Sequence, residues 1–139
     1  MPPRPLCGTE DEAIQLIESC AKSIPPLKLE AAGIAVFPET NVVYVEISSG
    51  RDALLEIHSR LNIGALTLQE AYSYHPHITL AQDLTQSESE TARDIALREW
   101  KNYQGPRSYE VSEITFVRNV AGLQWVDLAT IHLSERVNV

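Results

Sequence analysis

The sequence predicts an α+β fold, with helices and antiparallel hairpins in the order α-β-β, α, β-α-β-β. Three observations carry this. Apolar residues recur at helical spacing in three segments, and β-type runs come in pairs joined by short turn sequences. The second half also repeats the helix-then-hairpin order of the first, with one extra strand in front. A length of 139 residues, 44% hydrophobic and 22% charged, is that of one soluble globular domain, here 1–139.

Thr9 followed by "EDE" puts a capping residue three positions before Glu12, and Ala13, Leu16, Ile17, Cys20 and Ala21 then follow a helical period. A helix from about 10 to 23 is expected, bounded by Pro25 and Pro26. "LKLEAAGIAVFP" and "NVVYVEIS" flank the turn "PETN" as a hairpin. Ser49 is placed to cap a second helix, one side of which carries Leu54, Leu55, His58 and Leu61. The run "YSYHPHITLAQ" reads as a strand, and "TQSESE" as the start of a third helix capped at Ser87 and reaching about 103. "SYEVSEITFVR" and "LQWVDLATIHL" flank "NVAG" as a second hairpin.

Several classes of function are disfavoured at once. A net charge of -8 argues against an extended nucleic-acid surface, which needs many Lys and Arg contacts, while leaving room for a nucleotide or an RNA end. Two cysteines, Cys7 and Cys20, make neither a zinc motif nor a disulfide framework, and no cofactor or metal is implied. The start "MPPRPLCGTEDE" has no apolar stretch fit for a signal or a membrane span, so a cytoplasmic location is the expectation.

The segment that calls for a function is "AYSYHPHITLAQ", residues 71–82. On a strand, His75, His77 and Thr79 share one face and Tyr74, Pro76, Ile78 and Leu80 the other. "YHPHITLAQ" resembles the second signature of the two-histidine (2H) phosphoesterase superfamily, which includes bacterial 2′-5′ RNA ligases, also called RNA 2′,3′-cyclic phosphodiesterases. "VVYVEISSGRDALLEIHSRL" and "SEITFVRNVAGLQWVDLATIHL" resemble the segments before and after that signature. The resemblance implies two lobes of antiparallel sheet with helices outside, related by a pseudo-twofold, each presenting a His-x-Thr or His-x-Ser strand to a cleft. By this division the first lobe is about 1–48 and the second about 49–139.

The resemblance carries His77 and Thr79 over as one catalytic pair. His75 is not implied by it, and Gln82 stands where many members have Arg or Lys. "IHLS" supplies a literal His-x-Ser at His132 and Ser134, but on the closing strand of the hairpin, and His58 falls on a helical pattern. The first motif is therefore absent from this chain. If the cap at Ser87 matches Thr9, the missing strand lies upstream of Met1, and the sequence reads as N-terminally truncated.

Two histidines suit this chemistry. One takes the proton of the attacking water and the other protonates the departing ribose oxygen, and a pKa of ~6.5 allows imidazole either role. Thr79 can donate its hydroxyl to a phosphate oxygen without a metal. Arg118 and Trp125 are the candidate substrate contacts, for phosphate and base, with Arg4 and Arg107 as further cations. The expected protein is a metal-independent phosphodiesterase-like enzyme acting on a 2′,3′-cyclic phosphate or 2′-5′ linkage, impaired unless a second histidine is supplied. The alternatives are a non-catalytic nucleotide-phosphate binding module and a homodimer whose two His77 side chains share a site. Tyr72, Tyr74 and Trp100 read as core.

Overall fold

The computed structural model describes residues 1–121 and 124–134. The fold is α+β, with three helices and six strands among the described residues: α1 Glu10–Ala21, β1 Leu27–Phe37, β2 Val42–Ile47, α2 Arg51–Leu61, β3 His77–Ala81, α3 Gln86–Asn102, β4 Ser108–Val111, β5 Glu113–Val120 and β6 Gln124–His132. A 3-10 turn, Gly64–Leu66, follows α2. No described helix is long and apolar enough to cross a membrane.

The chain packs as two compact units, each assembled from separate segments, in place of contiguous lobes meeting near residue 48. Unit 1 holds 1–27, 52–74 and 110–139; unit 2 holds 28–51 and 75–109. The reason is strand pairing. β2 takes β1 on one side and β3 on the other, so a segment 30 residues further along joins the first hairpin.

In unit 1, α1 opens on a complete capping box: the Thr9 hydroxyl accepts the Glu12 N–H and the Glu12 carboxylate accepts the Thr9 N–H. Its buried face, Ala13, Ile17 and Ala21, forms a core with Ile24, Leu61, Leu66, Ile131 and Leu133. The other end of α1 is closed from β6, because the Ser134 N–H reaches the carbonyls of Ala21 and Ile24 and its hydroxyl donates to Ile24. Ser134 is thus spent on a helix end, which removes it from the literal His-x-Ser pair, and His132 is exposed. β5 and β6 pair antiparallel as expected, although Gly122 of the "NVAG" turn lies outside the described residues.

In unit 2 the sheet has the order β3-β2-β1-β4. Its inner strand β2 buries Val43, Tyr44, Val45 and Ile47. Asn41 turns the β1–β2 hairpin at φ 57, a conformation that asparagine tolerates. α3 starts at Thr85, whose side chain accepts the Glu88 N–H in a second capping box. This corrects the cap from Ser87 to Thr85: Thr85 has its glutamate at the third helical position, where the reciprocal bond closes.

Three further expectations are revised. β3 is five residues, and 72–76 is unpaired, because Pro76 has no N–H to give a ladder and is itself fully buried. The run "SYEVSEITFVR" divides at Ser112 into β4, beside β1, and β5, beside β6. Tyr72 is exposed and not core.

Ser49 makes no side-chain cap bond among the described residues; its carbonyl accepts the Glu30 N–H, and Gly50 makes the turn into α2 at φ +81. A Cβ at Gly50 would overlap the Leu29 side chain and stand 2.7 Å from the Lys28 carbonyl oxygen. Gly50→Ala is expected to cost about 1–3 kcal/mol, read from urea unfolding. An unchanged midpoint would show that the turn relaxes freely.

Candidate functional site

The histidine face belongs to unit 2. His77 lies opposite Glu46, and Thr79 opposite Tyr44, across the β2–β3 ladder. One strand further, Gly33 lies opposite Glu46 and Ala35 opposite Tyr44. Cross-strand partners share a face, so two rows form, Gly33-Glu46-His77 and Ala35-Tyr44-Thr79. Gly33 and Ala35 are small, and a Cβ on Gly33 would meet nothing within 4 Å. His77 and Thr79 are exposed on this open face.

An aromatic stack supports both histidines. Phe37 and Tyr44 lie 4.0 Å apart between centroids. The His75 ring sets its edge against them at 5.3 and 5.5 Å, and the His77 ring at 5.0 and 5.4 Å. The Nδ1–H of His77 donates to the His75 carbonyl at 2.6 Å. A carbonyl only accepts, so Nδ1 carries the proton and Nε2 of the neutral ring keeps its lone pair. Burial first, and then the Glu46 charge, push the Tyr44 phenol above its ordinary value, against a smaller opposite effect of Arg51. It stays protonated through the neutral range.

His75 is more engaged than a rim residue. Its Nδ1 is 3.5 Å from Arg51 Nη2, and its Nε2 is 3.2 Å from Glu46 Oε1. The carboxylate lies outside a hydrogen-bonding direction, so the buried Nε2 has no hydrogen-bond partner. Sequence reasoning missed Phe37, Tyr44, Glu46 and Arg51, whose link to His77 runs through sheet register and has no local signature.

Of the other predicted contacts, Arg4, Arg118 and Trp125 fall in unit 1 and Arg107 in unit 2. Arg118 and Trp125 both line a cavity of about 400 Å³. Arg118 is paired in a fork to Glu10, with both bonds at 2.7 Å, and Trp125 is exposed. His58, Tyr74 and Arg4 line the same cavity. Glu70 accepts from Arg4 and from His58 Nε2, the latter at 2.7 Å, and His58 stacks on Tyr74 at 4.1 Å. Arg4 also donates to Asn62 and to the Leu66 carbonyl, so it is a buried clamp and not a free phosphate ligand. Arg107 lies over Trp100 at 4.4 Å, with Nη2 donating to the Trp100 carbonyl. Among the described residues, no group of three or more His, Cys, Asp or Glu is placed to hold a metal ion.

The family model described as the 2′-5′ RNA ligase superfamily matches residues 1–123. A relative from Oceanobacillus iheyensis, provisionally named a phosphoesterase, is 28% identical over 81 residues, covering 58% of this chain and 47% of its own. Similarly named relatives from Halalkalibacterium halodurans and a Geobacillus species are 29% identical over 76 residues and 33% over 63. Those matches cover 54% and 45% of this chain, and 44% and 35% of the relatives. The chain thus spans about half the length of the curated relatives it matches or less.

Proposed function

Because the chain belongs to the 2′-5′ RNA ligase superfamily, we propose that unit 2 is one half of a phosphoesterase site, with His77 as the proton-transfer group and Thr79 as a phosphate ligand. The observation that supports this reading is the bond from His77 Nδ1–H to the His75 carbonyl, which leaves Nε2 as the ring atom available for proton exchange on an open face. Thr79 lies two residues along the same face, where its hydroxyl can donate to a phosphate oxygen. The proposed substrate is a 2′,3′-cyclic phosphate or 2′-5′ linkage at an RNA end or in a small nucleotide.

In hydrolysis, water adds to phosphorus as the bond to a ribose oxygen breaks; one group takes the water proton and another returns a proton to the ribose oxygen. His77 performs one of these transfers. The other needs a second histidine, from another segment or a second copy of the chain. Calorimetry with 2′,3′-cyclic AMP tests the site: wild type binds saturably, and Thr79→Val weakens binding roughly tenfold or more through loss of a bond to a charged group. Absence of binding at millimolar nucleotide would overturn the proposal.

A non-catalytic nucleotide-phosphate binding module is the second reading. It is favoured by the commitment of the Ser134 hydroxyl to Ile24, which leaves His77 and Thr79 as the one complete pair among the described residues. Saturable binding with no product at long incubation selects it over the enzyme.

A further inference from the structure

The unit 2 face has a charge problem if it is to hold a phosphate. Glu46 stands directly opposite His77, and Thr79 and Tyr44 bring no positive charge. The cations named from sequence are engaged elsewhere: Arg4 with Glu70, Arg118 with Glu10, and Arg107 over Trp100. Arg93 and Arg98 also face carboxylates, and Arg60 donates to Ser23.

Arg51 differs. Among the described residues it has no carboxylate within ion-pair distance, and its one side-chain hydrogen bond is to His75 Nδ1 at 3.5 Å, the outer limit of such a bond. That contact brings the guanidinium to a ring resting on the same Phe37–Tyr44 stack as His77. Its position is set by the turn at Gly50, which no side chain fits without displacing Leu29 or the Lys28 backbone. Arg51 is half-buried, where a charge is screened less than at an open surface.

We propose that Arg51 is the phosphate-binding cation of the unit 2 site, exchanging its long contact with His75 for a forked bond to the phosphate ester anion of a nucleotide. This rests on the reading of unit 2 as a phosphate half site. A guanidinium forms two parallel charge-assisted bonds to phosphate, each shorter and stronger than the contact given up. Release of His75 Nδ1 accompanies binding.

The test uses the full chain and 2′,3′-cyclic AMP, with adenosine as the uncharged control. Arg51→Met is expected to weaken cyclic nucleotide binding roughly tenfold to a hundredfold, with little effect on adenosine, and Arg51→Lys to recover part of the loss. If Thr79→Val weakens binding while Arg51→Met binds like wild type, the Arg51 proposal falls and the half site stands. If wild type binds no cyclic nucleotide, both fall. If Arg51→Met does not fold, NMR of wild type decides: the His75 ring resonances shift on titration when the guanidinium leaves, and unmoved resonances at saturation overturn the exchange.

Discussion

Replacing His77 with alanine is expected to lower hydrolysis of a 2′,3′-cyclic nucleotide by about 10²- to 10⁴-fold, the usual contribution of one proton-transfer group. The ring is exposed, its one side-chain hydrogen bond goes to a neighbouring backbone carbonyl, and it gives up only edge contacts with Phe37 and Tyr44, so the substitution should leave the fold intact and lower the thermal midpoint modestly. The measurement is product formation with protein in excess over substrate, followed by chromatography, alongside a melting curve. Free imidazole should restore part of the rate, because the cavity left by the ring is open to solvent. Equal turnover by wild type and His77→Ala would remove the histidine from the chemistry.

The largest expected effect on stability is elsewhere. Glu70→Gln should cost about 3–5 kcal/mol at neutral pH, because it leaves the buried Arg4 guanidinium without its carboxylate. Burial acts most strongly on Glu70 and raises its pKa, but hydrogen bonds and charge from His58 and Arg4 together outweigh it and hold the carboxyl below the ordinary range. A lowered folded pKa means that the ionised network contributes fully above the ordinary value of 4.5 and is lost as pH falls through the folded value. The difference between wild type and Glu70→Gln in urea unfolding should therefore shrink on acidification through that window. A constant difference across it would assign the loss to packing instead of charge.

Local signals in the sequence located most elements. Thr9 with Glu12 marks the start of α1, and the turn "PETN" with Asn41 marks the first hairpin. The alternation in "HPHIT" puts His77 and Thr79 on one face, and β3 has that face. What was not legible depends on partners remote in sequence. The division at Ser112 leaves no trace in an alternating run, because each half continues as a strand and only the neighbours change. Arg118 looks like a free cation at a strand end, but its partner Glu10 is 108 residues away. Tyr44 and Glu46 join the histidine face through a register that shifts between Val43 and Tyr44, and strand patterns do not show such shifts.

The interleaving of the two units also fixes an order of assembly during synthesis. Every segment of unit 2 lies before residue 110, so that unit can close without any later part of the chain. Unit 1 cannot. α1 needs partners far along the chain: the Ser134 groups that finish its end lie 110 residues after Ile24, and Ile131 and Leu133, which help cover it, are nearly as distant. Until β6 is made the apolar side of α1 has only the Leu61 and Leu66 part of its cover, and a nascent chain can associate through the part still exposed.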